Sequence, residues 1–200
     1  MEWSVILKKL LFLVAVFSLI LLPASAAHAQ QFDLSGGLSA VTAPASTSTT
    51  QTVGGGAYVN LGMDFLFFHN AGLEFNAALR AKENLFEGVQ PFRPFFYDFD
   101  AVYAPQLGRR AQAHLSAGLG LESVHFYEPN FTCSFISCTN VDASHHFLTQ
   151  LGAGIRFYAT PRIFIEPSVH VYLIHNNVEF SGSHAIRSGI SIGYSFKNQE

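Results

Sequence analysis

Ala57-Tyr58-Val59-Asn60-Leu61-Gly62-Met63-Asp64-Phe65 changes character at every residue. Ala57, Val59, Leu61, Met63 and Phe65 are apolar, whereas Tyr58, Asn60, Gly62 and Asp64 between them are polar, small or charged. A period of two belongs to the β-strand, whose successive side chains point to opposite faces. The stretch therefore predicts a strand with one greasy face and one polar face.

Seven further segments repeat the pattern. Phe32, Leu34, Leu38 and Ala40 oppose Asp33, Ser35 and Ser39. Leu73, Phe75, Ala77, Leu79 and Ala81 oppose Glu74, Asn76, Arg80 and Lys82. Phe95, Tyr97, Phe99, Ala101 and Tyr103 oppose Phe96, Asp98, Asp100 and Val102. In the second half, Ala111, Ala113, Leu115, Ala117, Leu119 and Leu121 oppose Arg110, Gln112, His114, Ser116 and Glu122. Phe147, Leu151, Ala153, Ile155 and Phe157 oppose His146, Gln150, Gly152, Gly154 and Arg156. Ile163, Ile165, Val169, Val171 and Leu173 oppose Glu166, Ser168, His170 and Tyr172. Ile186, Ile190, Ile192, Tyr194 and Phe196 oppose Arg187, Gly189, Ser191, Gly193 and Ser195.

No Asp, Glu, Lys or Arg stands on an apolar face. A soluble sandwich would turn its greasy faces inward and its charges to water. Here the polar face is rich in Gly and Ser and carries both signs of charge, which suits a narrow lumen. A greasy face turned to lipid would have to exclude Arg and Lys, which cost about 2–4 kcal/mol at mid-depth. Aromatics support this sidedness. Phe32, Phe65, Phe67, Phe68, Tyr103, Phe157, Tyr158 and Phe196 fall at one end of the strands, as an interfacial girdle does. Connection lengths alternate as well. Links are short near His69-Asn70, Pro105 to Gly108 and Thr160 to Arg162. They are long at Pro44 to Thr52, Glu83 to Gln90, Tyr127 to Ser144 and His175 to Ser183. The expected fold is all-β: an up-and-down antiparallel transmembrane barrel of about eight strands with short periplasmic turns and longer outer loops. Pro167 lies inside the seventh segment and lacks a ladder donor, so a bulge or local irregularity is expected there.

The composition agrees. Only 12% of the 200 residues are charged and 14% are aromatic. Past the N-terminal segment, no apolar run reaches the roughly 20 residues that a membrane-spanning helix needs. That segment reads as a signal peptide over residues 1–29. Lys8 and Lys9 precede the apolar run Leu10 to Leu22, Pro23 breaks it, and Ala27-His28-Ala29 offers small residues for cleavage before Gln30. Residues 30–200 form the expected barrel domain. Without Glu2, Lys8 and Lys9, nine basic residues stand against thirteen acidic ones, a net charge of −4. This balance carries no footprint for nucleic acid.

The chain resembles the small bacterial outer-membrane barrels, the OmpA-like transmembrane domain and the opacity-type surface proteins. Arg187-Ser188-Gly189-Ile190-Ser191-Ile192-Gly193-Tyr194-Ser195-Phe196 is similar to the terminal strand that barrel-assembly machinery recognises in such proteins, with Lys197 to Glu200 following the aromatic. The resemblance implies an outer-membrane location and, as partners, membrane lipid, the assembly machinery and an extracellular ligand at the loops. No cofactor and no peptidoglycan-binding domain are implied.

Several side-chain sets are candidates for chemistry. Glu74, Arg80, Asp98, Asp100, Arg110, Glu122, Arg156, Glu166 and Arg187 read as a paired-charge network filling the lumen, with a transport path or catalytic cluster as alternatives. Cys133 and Cys138 are expected to form a disulfide in an oxidising compartment, zinc being the other reading. Their loop, with Phe131, Phe135 and Ile136, is the candidate recognition element. His125, His145, His146, His175 and His184 gather toward the loop end as a metal-binding or pH-responsive possibility. Ser168 and His170 share a face with Glu166, the ingredients of a lipid A deacylase-like hydrolase. A structural or surface-interaction role is the leading expectation, ahead of that enzyme or a narrow channel.

Overall fold

The computed structural model describes residues 31–43, 55–68, 70–86, 90–133, 138–175 and 183–197, and only the backbone of 86, 129–133, 138–139 and 197. The expected signal peptide lies outside these residues. The chain runs as β1 (Gln31–Thr42), β2 (Gly56–Phe68), β3 (Ala71–Arg80), β4 (Asn84–Phe86), β5 (Gln90–Tyr103), β6 (Ala111–Cys133), β7 (Cys138–Tyr158), β8 (Ile163–Ile174) and β9 (His184–Lys197). All pairings between these strands are antiparallel. β1 pairs with β9, and β3 pairs directly with β5, so eight strands close into a barrel. Closure removes the unpaired sheet edge that hydrocarbon would not tolerate. β4 stays outside the ring and pairs only with β5, folding the expected Glu83–Gln90 link into a small hairpin.

The eight barrel strands carry out the alternation predicted from their sequences. On β2, Tyr58, Asn60, Gly62 and Asp64 are buried, while Val59, Leu61, Met63 and Phe65 are exposed. Leu61 is 62% exposed, Phe99 69% and Ile192 61%, although all three lie mid-strand. The greasy stripes therefore face outward around the barrel. An apolar belt of this extent far exceeds what a soluble monomer presents and matches hydrocarbon.

Two features differ from the sequence reading, and the local irregularity expected at Pro167 is present. The stretch from Tyr127 to Ser144 is largely strand. β6 extends into it as far as Cys133 and β7 from Cys138 onward, paired with each other with a register irregularity between Tyr127 and Thr132. Tyr158 does not join the aromatic girdle, because its hydroxyl turns inward to Gln112. Pro167 interrupts the ladder with β7 between the Gly154↔Ser168 and Phe157↔Ile165 pairs, yet the register is unchanged across the gap. The missing N–H costs local pairing without adding a residue, so no bulge forms.

Candidate functional site

An eight-stranded barrel has an interior just wide enough for side chains. The lumen here is packed in layers. Leu66, Val102 and Ala104 form an apolar layer near the chain termini. At the other end Tyr58, Phe96, Leu148 and Tyr172 fill the bore, with Phe96 stacked on Tyr172 at 5.1 Å. Small residues make room for large ones. Gly193 lies opposite Phe164, and a Cβ there would fall 2.1 Å from the phenyl ring.

Between these layers the polar faces converge. The strand register lines carboxylates up side by side: Asp33 on β1 pairs with Asp64 on β2, Asp64 with Glu74 on β3, and Glu74 with Asp100 on β5. Like charges directly opposite each other repel, so this arc requires cations from the facing wall. Arg156 on β7 answers it. Its Nη1 donates to Asp33 Oδ2 at 2.8 Å, its Nε to Glu166 Oε2 at 2.6 Å, and its Nη2 to Asp64 Oδ2. The guanidinium also stacks on Phe164, 4.8 Å from the ring centroid. The planar fork of Arg suits such multiple recognition, which a Lys ammonium does not reproduce.

His114 on β6 sits beside this centre. Its Nδ1 lies 3.2 Å from Glu166 Oε1, and its Nε2 lies 3.7 Å from Glu74 Oε2 and 3.8 Å from Asp64 Oδ1. Asn76 Nδ2 donates to Glu74 Oε1 at 2.7 Å. Below, Gln31 donates to Asp33, the Tyr158 hydroxyl donates to Gln112, and Gln112 donates to the Ala104 carbonyl, which ties the floor of the lumen together. One level up, Asp98 and Asp100 interact electrostatically with Arg187, whose guanidinium lies over Tyr172. Arg80 lies over Phe92, and Glu122 is paired in register with His146.

Eight of the nine predicted network residues are thus buried in the lumen. Arg110 is the correction. β6 begins at Ala111, so Arg110 is exposed on the preceding turn. There it lines, with Arg109 and Arg162, a cavity of about 490 Å³ at the mouth nearest the termini. Lys82 is likewise exposed, just beyond β3. Asp33, Asp64 and His114 were not singled out in the sequence, although they hold the centre. Their parity marked them as inward, but only the register across the barrel brings them together.

The other candidates fare differently. Cys133 and Cys138 are partners in the backbone register, while their side chains lie outside the described set, as do those of Phe131, Phe135 and Ile136. Among the described residues the loop-end histidines belong to no group of three possible metal ligands. His125 and His146 each contact a nearby serine, Ser123 and Ser144. Among the described residues the one group of three possible metal-ligand atoms is Asp64, Glu74 and His114. Ser168 does meet His170, with Oγ 3.3 Å from Nε2. However, His170 Nδ1 faces the Gln150 amide at 2.6 Å and Glu166 is committed to Arg156 and His114. If Nδ1 accepts from Gln150, a neutral ring carries its proton on Nε2 and donates toward Ser168, the reverse of what a general base requires.

A closed eight-stranded barrel with a lipid-matched exterior and a charge-packed interior defines a small integral membrane barrel. No family model matches the chain, and no curated protein matches it in sequence. Solved structures do match in fold. The Neisserial surface protein A aligns at 9% identity and a TM-score of 0.58, covering 84% of this chain and 98% of that one. Ail, the attachment invasion locus protein of Yersinia pestis, solved with a heparin analogue, aligns at 14% identity and a TM-score of 0.55, covering 84% and 99%. The N-terminal barrel of Pseudomonas aeruginosa OprF aligns at 12% identity and 0.55, covering 84% and 100%. The chain has the fold of the small bacterial outer-membrane barrels.

Proposed function

We propose that the protein is an outer-membrane surface barrel whose job is interaction through its outer hairpin, with the packed lumen serving as a rigid support. One observation carries this reading: β6 and β7 outrun their neighbours. The β5 partner of β6 ends at Phe126, and the β8 partner of β7 ends at Leu148, yet the β6–β7 ladder continues to Cys133↔Cys138. Seven residues of β6 beyond Phe126 correspond to about 24 Å of strand at roughly 3.4 Å per residue. A ladder that extends past the neighbouring strand pairings offers backbone and side chains to whatever lies outside. The closed lumen argues against conduction as the main task, since buried side chains occupy it at several levels.

Replacing residues 128–142 with a short turn tests the reading in intact cells. The shortened protein is expected to keep its heat-modifiable gel migration and to lose adhesion to host-cell or matrix surfaces. Undiminished adhesion of a correctly folded variant overturns it.

A further inference from the structure

We propose that the lumen contains a binding site for a first-row divalent metal ion, built from Asp64, Glu74 and His114. This site is independent of the surface role above.

The geometry points to it through an asymmetry shared by all three side chains. Each has one polar atom anchored and one left over. Asp64 Oδ2 is held by Arg156, Glu74 Oε1 by Asn76, and His114 Nδ1 by Glu166. The remaining atoms, Asp64 Oδ1, Glu74 Oε2 and His114 Nε2, are buried and have no hydrogen-bond partner. They face one another, all within 4.8 Å. Unsatisfied buried polar atoms are rare and costly, and three converging on one point call for a shared partner.

The donor set suits a metal. One imidazole and two carboxylates are a usual ligand combination for zinc, iron or manganese. His114 is oriented by a carboxylate at its other nitrogen, the outer arrangement that fixes a metal-binding imidazole. With bonds of about 2.1 Å, tetrahedral ligands stand roughly 3.4 Å apart. The His114 nitrogen is 3.7 and 3.8 Å from the two oxygens, so closing those edges needs shifts of only a few tenths of an ångström. The third edge, between the carboxylate oxygens, is within 4.8 Å.

Charge supplies a second, separate reason. Asp33, Asp64 and Glu166 contact the single guanidinium of Arg156 and Glu74 stands beside them at His114, a formal excess of three negative charges with His114 neutral. Across the described lumen, seven buried carboxylates face three buried arginines. A low-dielectric interior penalises such an excess heavily, and a divalent cation at the Asp64–Glu74–His114 point would offset most of it. The nearest mouth is lined by Arg109, Arg110 and Arg162, which repel cations. Loading is therefore expected as the barrel closes, not by later diffusion.

The test refolds the mature chain from urea into detergent with one equivalent of Zn²⁺ or with chelator, then removes loose metal by a chelator wash. Elemental analysis is expected to give close to one metal per folded barrel. The urea midpoint should be higher for the zinc-loaded protein than for the chelator-refolded one, because ligand binding to the folded state alone stabilises it. Glu74→Gln and His114→Gln should abolish retention. Asn76→Ala, which keeps all three ligands, should weaken binding about 10–100-fold. Cobalt substitution gives a further readout, since its visible ligand-field bands report a bound ion of low coordination number and should vanish in His114→Gln, where that ligand is lost. Heat-modifiable migration identifies the variants that fold, and Asn76→Ala keeps the test alive if the ligand variants do not. Folded wild-type protein with no retained metal and no midpoint shift overturns the site, as does equal retention by folded Glu74→Gln.

Discussion

Replacing Arg156 by Met should destabilise the barrel more than any other single lumen substitution. Methionine keeps much of the length and packs against Phe164, so the change isolates the guanidinium. Three charge-assisted contacts disappear, to Asp33, Asp64 and Glu166. Each is worth about 1.5–3 kcal/mol by itself, but the three share one cation and will not add. The larger effect is what remains. Asp33 and Asp64 are register partners, and two carboxylates about 5 Å apart at an effective dielectric near 20 repel by about 3 kcal/mol. Removing one partner of a buried ion pair costs about 3–5 kcal/mol, and that range is the expected loss. With a urea slope of about 2 kcal/mol per molar, the midpoint should fall by about 2 M. The assay is equilibrium unfolding and refolding in detergent or lipid, followed by gel migration and tryptophan-independent circular dichroism. Adding Asp64→Asn should recover part of the loss, because it removes one of the stranded charges. Arg156→Lys should recover little, since an ammonium cannot reach three carboxylates in a plane. The loss should persist at high salt, where exposed pairs are screened and buried ones are not. A decrease under about 1 kcal/mol, typical of an exposed ion pair, would refute the assignment of Arg156 as the organising cation.

Ile192→Arg places a charge on the lipid face at mid-strand and should cost about 2–4 kcal/mol in bilayers, measured as a lower urea midpoint. Gly193→Val drives a side chain into Phe164 and should cost about 1–3 kcal/mol by overpacking, with Phe164→Ala partly restoring stability in the double variant. If the double variant is no better than the single, the clash is not the cause. In planar bilayers the wild-type protein should show no ion conductance above background, because stacked Phe96 and Tyr172 and the Arg156 cluster block the bore. Steady single-channel steps would require a lumen that opens.

How much of this was legible in the residues follows from what alternation encodes. A period of two tells which side chains share a face, and the confinement of charge to one face with aromatics at one end then gave the inward placement of Glu74, Asp98, Arg156 and Glu166. It also predicted the exposed Leu61 and Ile192. Alternation does not tell which strand ends mark the turn, and Arg110 was misplaced for that reason: parity put it inward, but the strand starts one residue later. Nor does it give cross-barrel neighbours. Asp33, Asp64 and His114 lie on three different strands, and their meeting with Arg156 depends on shear and closure, which local sequence does not carry. The β6–β7 hairpin was read as a loop because polar residues such as Asn130, Thr132, Thr139 and Asn140 lack a greasy face. Outside lipid, a strand needs none.

That hairpin raises a stability problem with a testable answer. Beyond Glu128, which Gln90 of β5 still reaches, the described backbone pairs β6 with β7 alone, and a two-stranded ribbon is marginal in water. The register irregularity between Tyr127 and Thr132 weakens it further. Cys133 and Cys138 are direct backbone partners beyond that irregularity, and antiparallel partners have Cα separations of about 4.5–5.5 Å, within the range a disulfide spans. A bond at this position would fix the register past the irregularity without touching the barrel. Reduction, or Cys133→Ser, is therefore expected to increase protease cleavage between residues 127 and 144 on intact cells, while heat-modifiable migration stays the same. If cleavage is unchanged by reductant, or if both thiols react with a maleimide in protein taken from an oxidising envelope, the tip is held by strand pairing alone.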